Sequence, residues 1–358
     1  MKTNKNKHVF FFFDQEEDDS LVQTNKSNTL IKRFVSLDFL GSNEIDITNK
    51  IKGKLPHIWD KHFYLFDAVE TMKIGTLDAE SYHLQSVKEL KDDGSALTWY
   101  KQKQLVYMDG YLRSLSCSRK YILFLTDFYR RLLVSIDLLV ASGIVHNNIG
   151  FKSIVVDTNP EIPILTNFRF GLDTSSSSSA TKLPLKQFFI QYAPERLQWP
   201  LEIHLLCYLQ TNKLEGLSFH NIETVVKSVI DKNHYLKTFG QKIVDEYLES
   251  GLSYFSRYIN KSLEWIVADV TKYAATWDNY ALSICYLKIV IDLYYNNGTN
   301  NSSKGKKSKF LIQFMRLLVG NIHSNPLKRL LVKDTTNKFD ILMEECSIDE
   351  LYLLVLQF

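Results

Sequence analysis

The chain has 358 residues, enough for one large domain or two modest ones, and its 45% hydrophobic and 13% aromatic content excludes global disorder. Its 43 basic and 40 acidic residues leave a formal charge of +3, which gives no general electrostatic case for nucleic-acid or membrane partners. The four cysteines, Cys117, Cys207, Cys285 and Cys346, stand far apart in no metal-ligand or CxxC spacing; that predicts reduced thiols and an intracellular protein.

In chain order, the run Val9–Phe13 is shorter than the apolar core of a signal peptide and passes straight into the acids of DQEEDDS, so it reads as a first strand. No apolar run is long enough to span a membrane. The first 110 residues are strand-rich: HVFFFF, TLIKRFVSL, HFYLFDAV and KQLVYMDG are short apolar or aromatic runs between polar stretches, with an Asp/Gly turn in KDDGSAL before the last. Between them SNEIDITNKIKGKL, with a Ser cap and Ile45, Ile47 and Ile51, predicts one short helix.

From about residue 118 the period changes. Leu123, Leu125, Phe128, Leu132, Leu133, Ile136, Leu139 and Val140 follow helical spacing, ended by Gly143. The loop VHNNIGFKS, a strand-like IVVD, a Pro-bearing turn and ILTNFRFG come next. The serine run 175–179 reads as a mobile loop, and its phosphorylation is open. Thereafter the pattern is helical. Thr238 and Gln241 suggest a capping box opening one long helix through Val244, Leu248, Phe255, Ile259, Leu263, Ile266 and Val270. TWDNYALSICYLKIVIDLYY is apolar nearly all round and predicts a buried central helix. The expected plan is α+β, with a β-rich part over 1–110 and a helical part over 111–358.

That plan, with VHNNIGFKS opening its second half, resembles the eukaryotic protein kinase superfamily over roughly residues 28–345. The catalytic-loop pattern H-R-D-L-x-x-x-N falls on His146, Asn147, Asn148, Ile149 and Ser153; D-F-G falls on Asn167-Phe168-Arg169; A-P-E falls on Ala193-Pro194-Glu195. The Asp of the central helix falls on Asp278, and the late Arg on Arg329. Lys32 in TLIK stands for the strand lysine, with Glu44 as its helix partner, at a shorter gap than the family's. The resemblance implies a bilobal fold, a spine through His146 and Phe168 anchored by Asp278, and a buried Glu195–Arg329 ion pair.

The departures concern chemistry. In a kinase the loop Asp takes the substrate proton, while the loop Asn and the D-F-G Asp hold Mg²⁺; here these are Asn148, Ser153 and Asn167. An amide carries no charge and no basic lone pair at neutral pH. Gly150 stands where the loop lysine would meet phosphate, and the first glycine of the chain, Gly41, comes after Lys32, so the glycine-rich phosphate loop is missing. The residues that hold the fold match, and those that handle Mg·ATP do not.

The pattern therefore resembles a pseudokinase, similar to kinase-like proteins of large nucleocytoplasmic DNA viruses. It implies no catalytic residue, no metal, and ATP/Mg binding only in degenerate form. It also implies action by protein–protein binding, as a scaffold or regulator of a kinase or a virion component, in the host cytoplasm or the virion. The alternatives are an active serine/threonine kinase with rearranged ligands (Asp157, Asp173 or the N-terminal acids) and a helical structural protein. A helical insertion over 198–275 separates the A-P-E segment from the central helix, as packing elaboration or as a partner-binding module.

Overall fold

The computed structural model describes residues 30–36, 39–72, 95–101, 105–115, 120–175, 188–189, 191–296 and 308–347. Among them the chain is mixed α+β, mostly helical, with small sheets. It forms two compact units, one from residues 1–37 and 66–102, the other from 38–65 and 103–358. The contacts thus divide the chain differently from a boundary at 110, because the early helix α1 (Phe39–Lys54) belongs with the helical part. Its buried residues Glu44, Ile47, Thr48 and Ile51 recur at three- and four-residue steps, and Ile47 and Ile51 join the core of the larger unit. The helix begins at Phe39, so Ser42 is not its cap but lies inside its first turn.

The smaller unit is an antiparallel sheet in the order β1-β3-β2, from β1 (Leu30–Ser36), β2 (Ala68–Met72) and β3 (Ser95–Lys101). The middle strand β3 was not among the expected runs. Lys32 lies in β1 opposite Trp99. Val9–Phe13 and Ser176–Ser179 lie outside the described residues.

In the larger unit, α2 (Trp59–His62) leads to Phe63, which bridges Leu165. The run KQLVYMDG makes a three-residue strand, β4 (Leu105–Tyr107), and turns at once into α3 (Met108–Ser114). The helix α4 (Lys120–Ala141) buries Leu125, Phe128, Leu132, Leu133, Ile136 and Leu139, while Leu123 is exposed. Gly143 closes it at φ 67°, and a Cβ there would come within 2.6 Å of Ser175 Cβ, so glycine is required twice over. Two small sheets follow. In one, β6 (Ile154–Asp157) lies between β4 and β7 (Ile162–Leu165); in the other, β5 (Ile144–Val145) pairs with β8 (Leu172–Asp173).

The stretch expected as a helical insertion is helical: α5 (Leu201–Thr211), α6 (Phe219–Lys232), α7 (His234–Lys237), α8 (Gln241–Phe255) and α9 (Leu263–Thr271). The single long helix expected here is two. Thr238 does not cap it: its hydroxyl bonds back to the His234 carbonyl, and the N-cap is Gly240 at φ 92°. The break after Phe255 is built by a 3₁₀ turn and by Asn260 at φ 55°, whose amide bonds to the Leu217 carbonyl. Ser262 then caps α9 through the Trp265 amide. Arg257 pairs with Asp269 across the break, which fixes the angle between the two helices.

The central helix α10 (Trp277–Asn296) is buried nearly all round, as its apolar pattern predicts. Its length packs with α4, α11 (Lys309–Asn321) and α12 (Val332–Glu345) in one hydrophobic cluster, while Trp277 at its start belongs to the second cluster, under α5–α9. A buried polar chain pins three of these helices together: Asn279 Nδ2 to Thr335 Oγ1 (2.8 Å), Thr335 Oγ1 to Asn321 Oδ1 (3.0 Å) and Asn321 Nδ2 to Ser283 Oγ (3.0 Å). No helix among the described residues is long and apolar enough to cross a membrane.

The ion pair expected between Glu195 and Arg329 is made by a different acid. Arg329 forks onto Glu202, with Nη1 2.5 Å from Oε1 and Nη2 2.7 Å from Oε2, and both side chains are fully buried. Trp277 Nε1 donates to the same carboxylate at 3.0 Å, and Arg329 Nε donates to the His323 carbonyl at 2.8 Å. Glu195 instead sits exposed in a turn. Pro200 is the N-cap of α5, and Glu202, in the first turn of that helix, is fully buried. A buried charge left without its partner costs about 3–5 kcal/mol. Glu202→Gln is therefore expected to lower the unfolding free energy by about that much in a urea titration, and Glu195→Gln by less than about 0.5 kcal/mol. Equal losses from the two would mean that the pairing is wrong.

Candidate functional site

Two short sheets bring the motif residues together. The loop 146–153 runs from β5 to β6, and the turn 166–171 runs from β7 to β8. Because β5 pairs with β8 and β6 pairs with β7, the two loops are clamped at both ends and lie side by side.

Asp278 holds the first loop from beneath. The His146 amide donates to its Oδ2 at 2.7 Å, and the Asn147 amide to its Oδ1 at 2.8 Å. The carboxyl is fully buried. Burial pushes it up to about 7, against the two amide bonds that favour the anion. His146 is buried as well, which lowers its imidazole to about 4 and keeps it neutral. Its Nε2 lies 2.9 Å from the Thr166 carbonyl oxygen, so that nitrogen carries the proton, and Nδ1 accepts from the Asn148 amide at 3.3 Å. The ring packs on Phe168 at a centroid distance of 4.6 Å, and Phe168 meets Phe63 edge-on at 5.8 Å. Phe63-Phe168-His146 is thus a continuous aromatic stack resting, through the loop backbone, on Asp278.

The positions expected to have lost their chemistry are all in or beside these loops. The Ser153 hydroxyl is consumed by the loop itself: it accepts from the Gly150 amide at 2.8 Å and lies 3.0 Å from the carbonyl oxygens of Asn148 and Gly150. Asn167 adopts φ 63°, ψ 65°, and Asn147 adopts φ 60°. Asparagine is among the few residues that tolerate this left-handed region, so both serve the backbone turn. Among the described residues, the Asn147 amide group and Asn167 Oδ1 are buried without a hydrogen-bond partner. The loop pattern includes Asn147 but assigns it no role; an Asn directly after His146, a residue type that tolerates a left-handed turn, is the signal for the backbone role it has here.

Helix α1 closes the site from the other side. Asn43 Nδ2 donates to the carbonyls of Arg169 (2.9 Å) and Gly171 (3.0 Å), and the buried Glu44 accepts from Arg169 Nε at 3.2 Å. The carboxylate expected to serve Lys32 is thus paired with Arg169. Ile47 packs so closely on Gly171 that a Cβ there would come within 2.9 Å of it. Farther along, Lys50 and Lys54 reach Asp173 at 3.1 and 3.7 Å. Burial would raise the Asp173 carboxyl, but the bonds from Ser175 and the pairing with Lys50 hold it down at about 2. Asp157 is buried and caps the next turn through the Asn159 amide.

A hard divalent cation fits this arrangement poorly. The loops offer two amides and an internally bonded hydroxyl where a hard cation takes carboxylate oxygens, and a guanidinium stands next to them. Among the described residues no group of three or more His, Cys, Asp or Glu could hold a metal ion. Cys207 and Cys285 are free, buried thiols pushed up to about 12 by burial, which suits core packing and not nucleophilic chemistry.

The Asp278 bonds define a measurable contribution. In Asp278→Asn one loop amide would face an NH₂ group instead of an acceptor, so stability is expected to fall by about 1–3 kcal/mol. The folded carboxyl lies above its unfolded value, so its contribution is fully present below about pH 4 and is lost as pH rises through about 7. The difference between the native chain and Asp278→Asn, read by urea unfolding across that range, should therefore narrow with rising pH. A constant difference would mean that Asp278 does not titrate there.

No family model matches the chain, and no curated protein matches it.

Proposed function

We propose that this chain is a pseudokinase: a bilobal, protein-kinase-like protein that has kept the frame of the active site, has lost phosphate transfer, and works by binding other proteins. The observation that carries the reading is the buried Asp278 carboxylate gripping the amides of His146 and Asn147, while His146 packs on Phe168. This is the support a catalytic loop requires, and it stands under a loop whose reactive positions are Asn148 and Ser153. No general base is left to take a hydroxyl proton there, a role worth about 10²–10⁴-fold in rate.

The alternative, an active kinase with relocated ligands, is disfavoured by the candidates themselves. Asp173 is neutralised by Lys50 and Lys54, and Asp157 is spent on a turn. The Arg169–Glu44 pair adds to the same reading, since it keeps a fixed cation beside the position where Mg²⁺ would be held. A helical segment over 198–275 gives the molecule additional surface for a protein partner, such as a kinase or a virion component.

A thermal-shift titration with ATP, with and without Mg²⁺, tests the proposal. The expected outcome is no Mg²⁺-dependent rise in melting temperature and no transfer of labelled phosphate. The triple variant Asn148→Asp, Ser153→Asn, Asn167→Asp, checked for a cooperative melt, should remain inactive because the phosphate loop is also missing. Mg²⁺-dependent stabilisation of the native chain followed by transfer would overturn the reading.

A further inference from the structure

Helices α11 and α12 leave a groove of about 440 Å³ on the surface of the larger unit. Each lines it with one stripe, at positions 313, 316, 317 and 320 on α11 and at 338, 341, 342 and 345 on α12. Both stripes follow the i, i+3, i+4, i+7 steps of a single helix face. The groove is therefore a shallow seat between two helix ridges, a shape that can take a third helix. It is preformed: the Thr335–Asn321 bond and the Arg130–Asp340 pair fix α12 against α11 and α4.

Its chemistry is lopsided. Leu317, Leu330, Ile341 and Leu342 give it an apolar lining, with Ile341 52% exposed, and the segment between the two helices exposes Leu327 (66%) and Leu331 (52%). Three cations line it, Arg316, Lys328 and Lys338, against a single acid, Glu345. None of the three makes an ion pair among the described residues; α11 carries no acid, and on α12 Asp340, the closest in sequence to Lys338, is already paired with Arg130. Gly320 keeps the floor low: a Cβ there would meet nothing within 4 Å, so the space above it is left open.

We infer that this groove is a docking site for an acidic amphipathic helix of a protein partner, whose apolar stripe covers Leu317, Leu330 and Ile341 while its flanking carboxylates pair with Arg316, Lys328 and Lys338. Charge complementarity selects this occupant. A second copy of the chain would bring the same cations against themselves, and a flat anionic lipid surface would leave the concave floor empty. The inference does not depend on the pseudokinase reading, because the groove shares no residue with the loops at 146–153 and 166–171.

The test uses the full chain and a fluorescein-labelled peptide of about 15 residues, with Leu at i, i+3, i+4 and i+7 and Glu on its flanks. Anisotropy should report saturable binding. A scrambled peptide of the same composition should bind at least about tenfold more weakly, as should the native peptide to Arg316→Glu/Lys328→Glu/Lys338→Glu. Gly320→Trp, which fills the open space without touching a charge, should abolish binding at an unchanged melting temperature. Equal affinity for the scrambled peptide, or for either variant, would overturn the site. So would sedimentation showing a dimer that Ile341→Asp dissolves, or binding to phosphatidylserine vesicles that the peptide does not displace.

Discussion

A carboxylate with no access to water sits at the start of the central helix, and the arrangement of the two loops follows from how its charge is met. Removing such a group from solvent costs several kcal/mol. Against that stand two short hydrogen bonds from backbone amides, each worth about 1.5–3 kcal/mol when the acceptor is charged, and the first-turn position of Asp278, which the helix dipole favours. Burial outweighs those favourable terms, and the carboxyl accordingly rises to about 7. What Asp278 contributes is thus direction more than stability. Both oxygens are taken by consecutive amides, so the backbone at His146 and Asn147 has one orientation, the imidazole has one place to go, and Phe168 has one ring to pack on.

The neighbouring residue extends this control to the rest of the larger unit. Trp277 donates to Glu202, the acid that Arg329 clamps, so the first turn of α10 touches both buried carboxylates. One ties the helix to the loop; the other ties α5 to the segment before α12. Trp199 Nε1, from the same Trp-Pro-Leu-Glu stretch, bonds the Asn147 carbonyl and closes the circuit. The loop geometry and the packing of the helical segment after it are therefore coupled through buried polar contacts, where the low dielectric makes each unpaired group expensive.

Which parts of this were legible depended on the range over which the signal acts. His146, Phe168 and Asp278 could be found because short motifs and a uniformly apolar helix mark them. Glu202 was hidden by a better-looking decoy, the intact triplet ending at Glu195, and only the inward face of a helix opened by Pro200 distinguishes the two. The break after Phe255 was written in Asn260 and Ser262, a left-handed residue and a cap, but a sustained apolar period outweighed both. Strand β3 was passed over because the Asp/Gly turn before it was assigned to the next run. The placement of α1 could not be read at all: its apolar residues say that it packs, and only long-range bonds from Asn43 and Glu44 say against what.

That last placement bears on what the site can do. A helix held by Asn43, Glu44, Lys50 and Lys54 to one turn has its charges committed along most of its length. Arg169 completes the arrangement, because a guanidinium beside Asn167 repels a divalent cation at the same time as it secures Glu44. A single side chain thus has two consequences, one structural and one electrostatic, and they point the same way. A carboxylate at position 167 would stand next to Arg169 and invite an internal ion pair in place of a metal site, so the frame of these loops limits what they can bind as much as the residues that face solvent do.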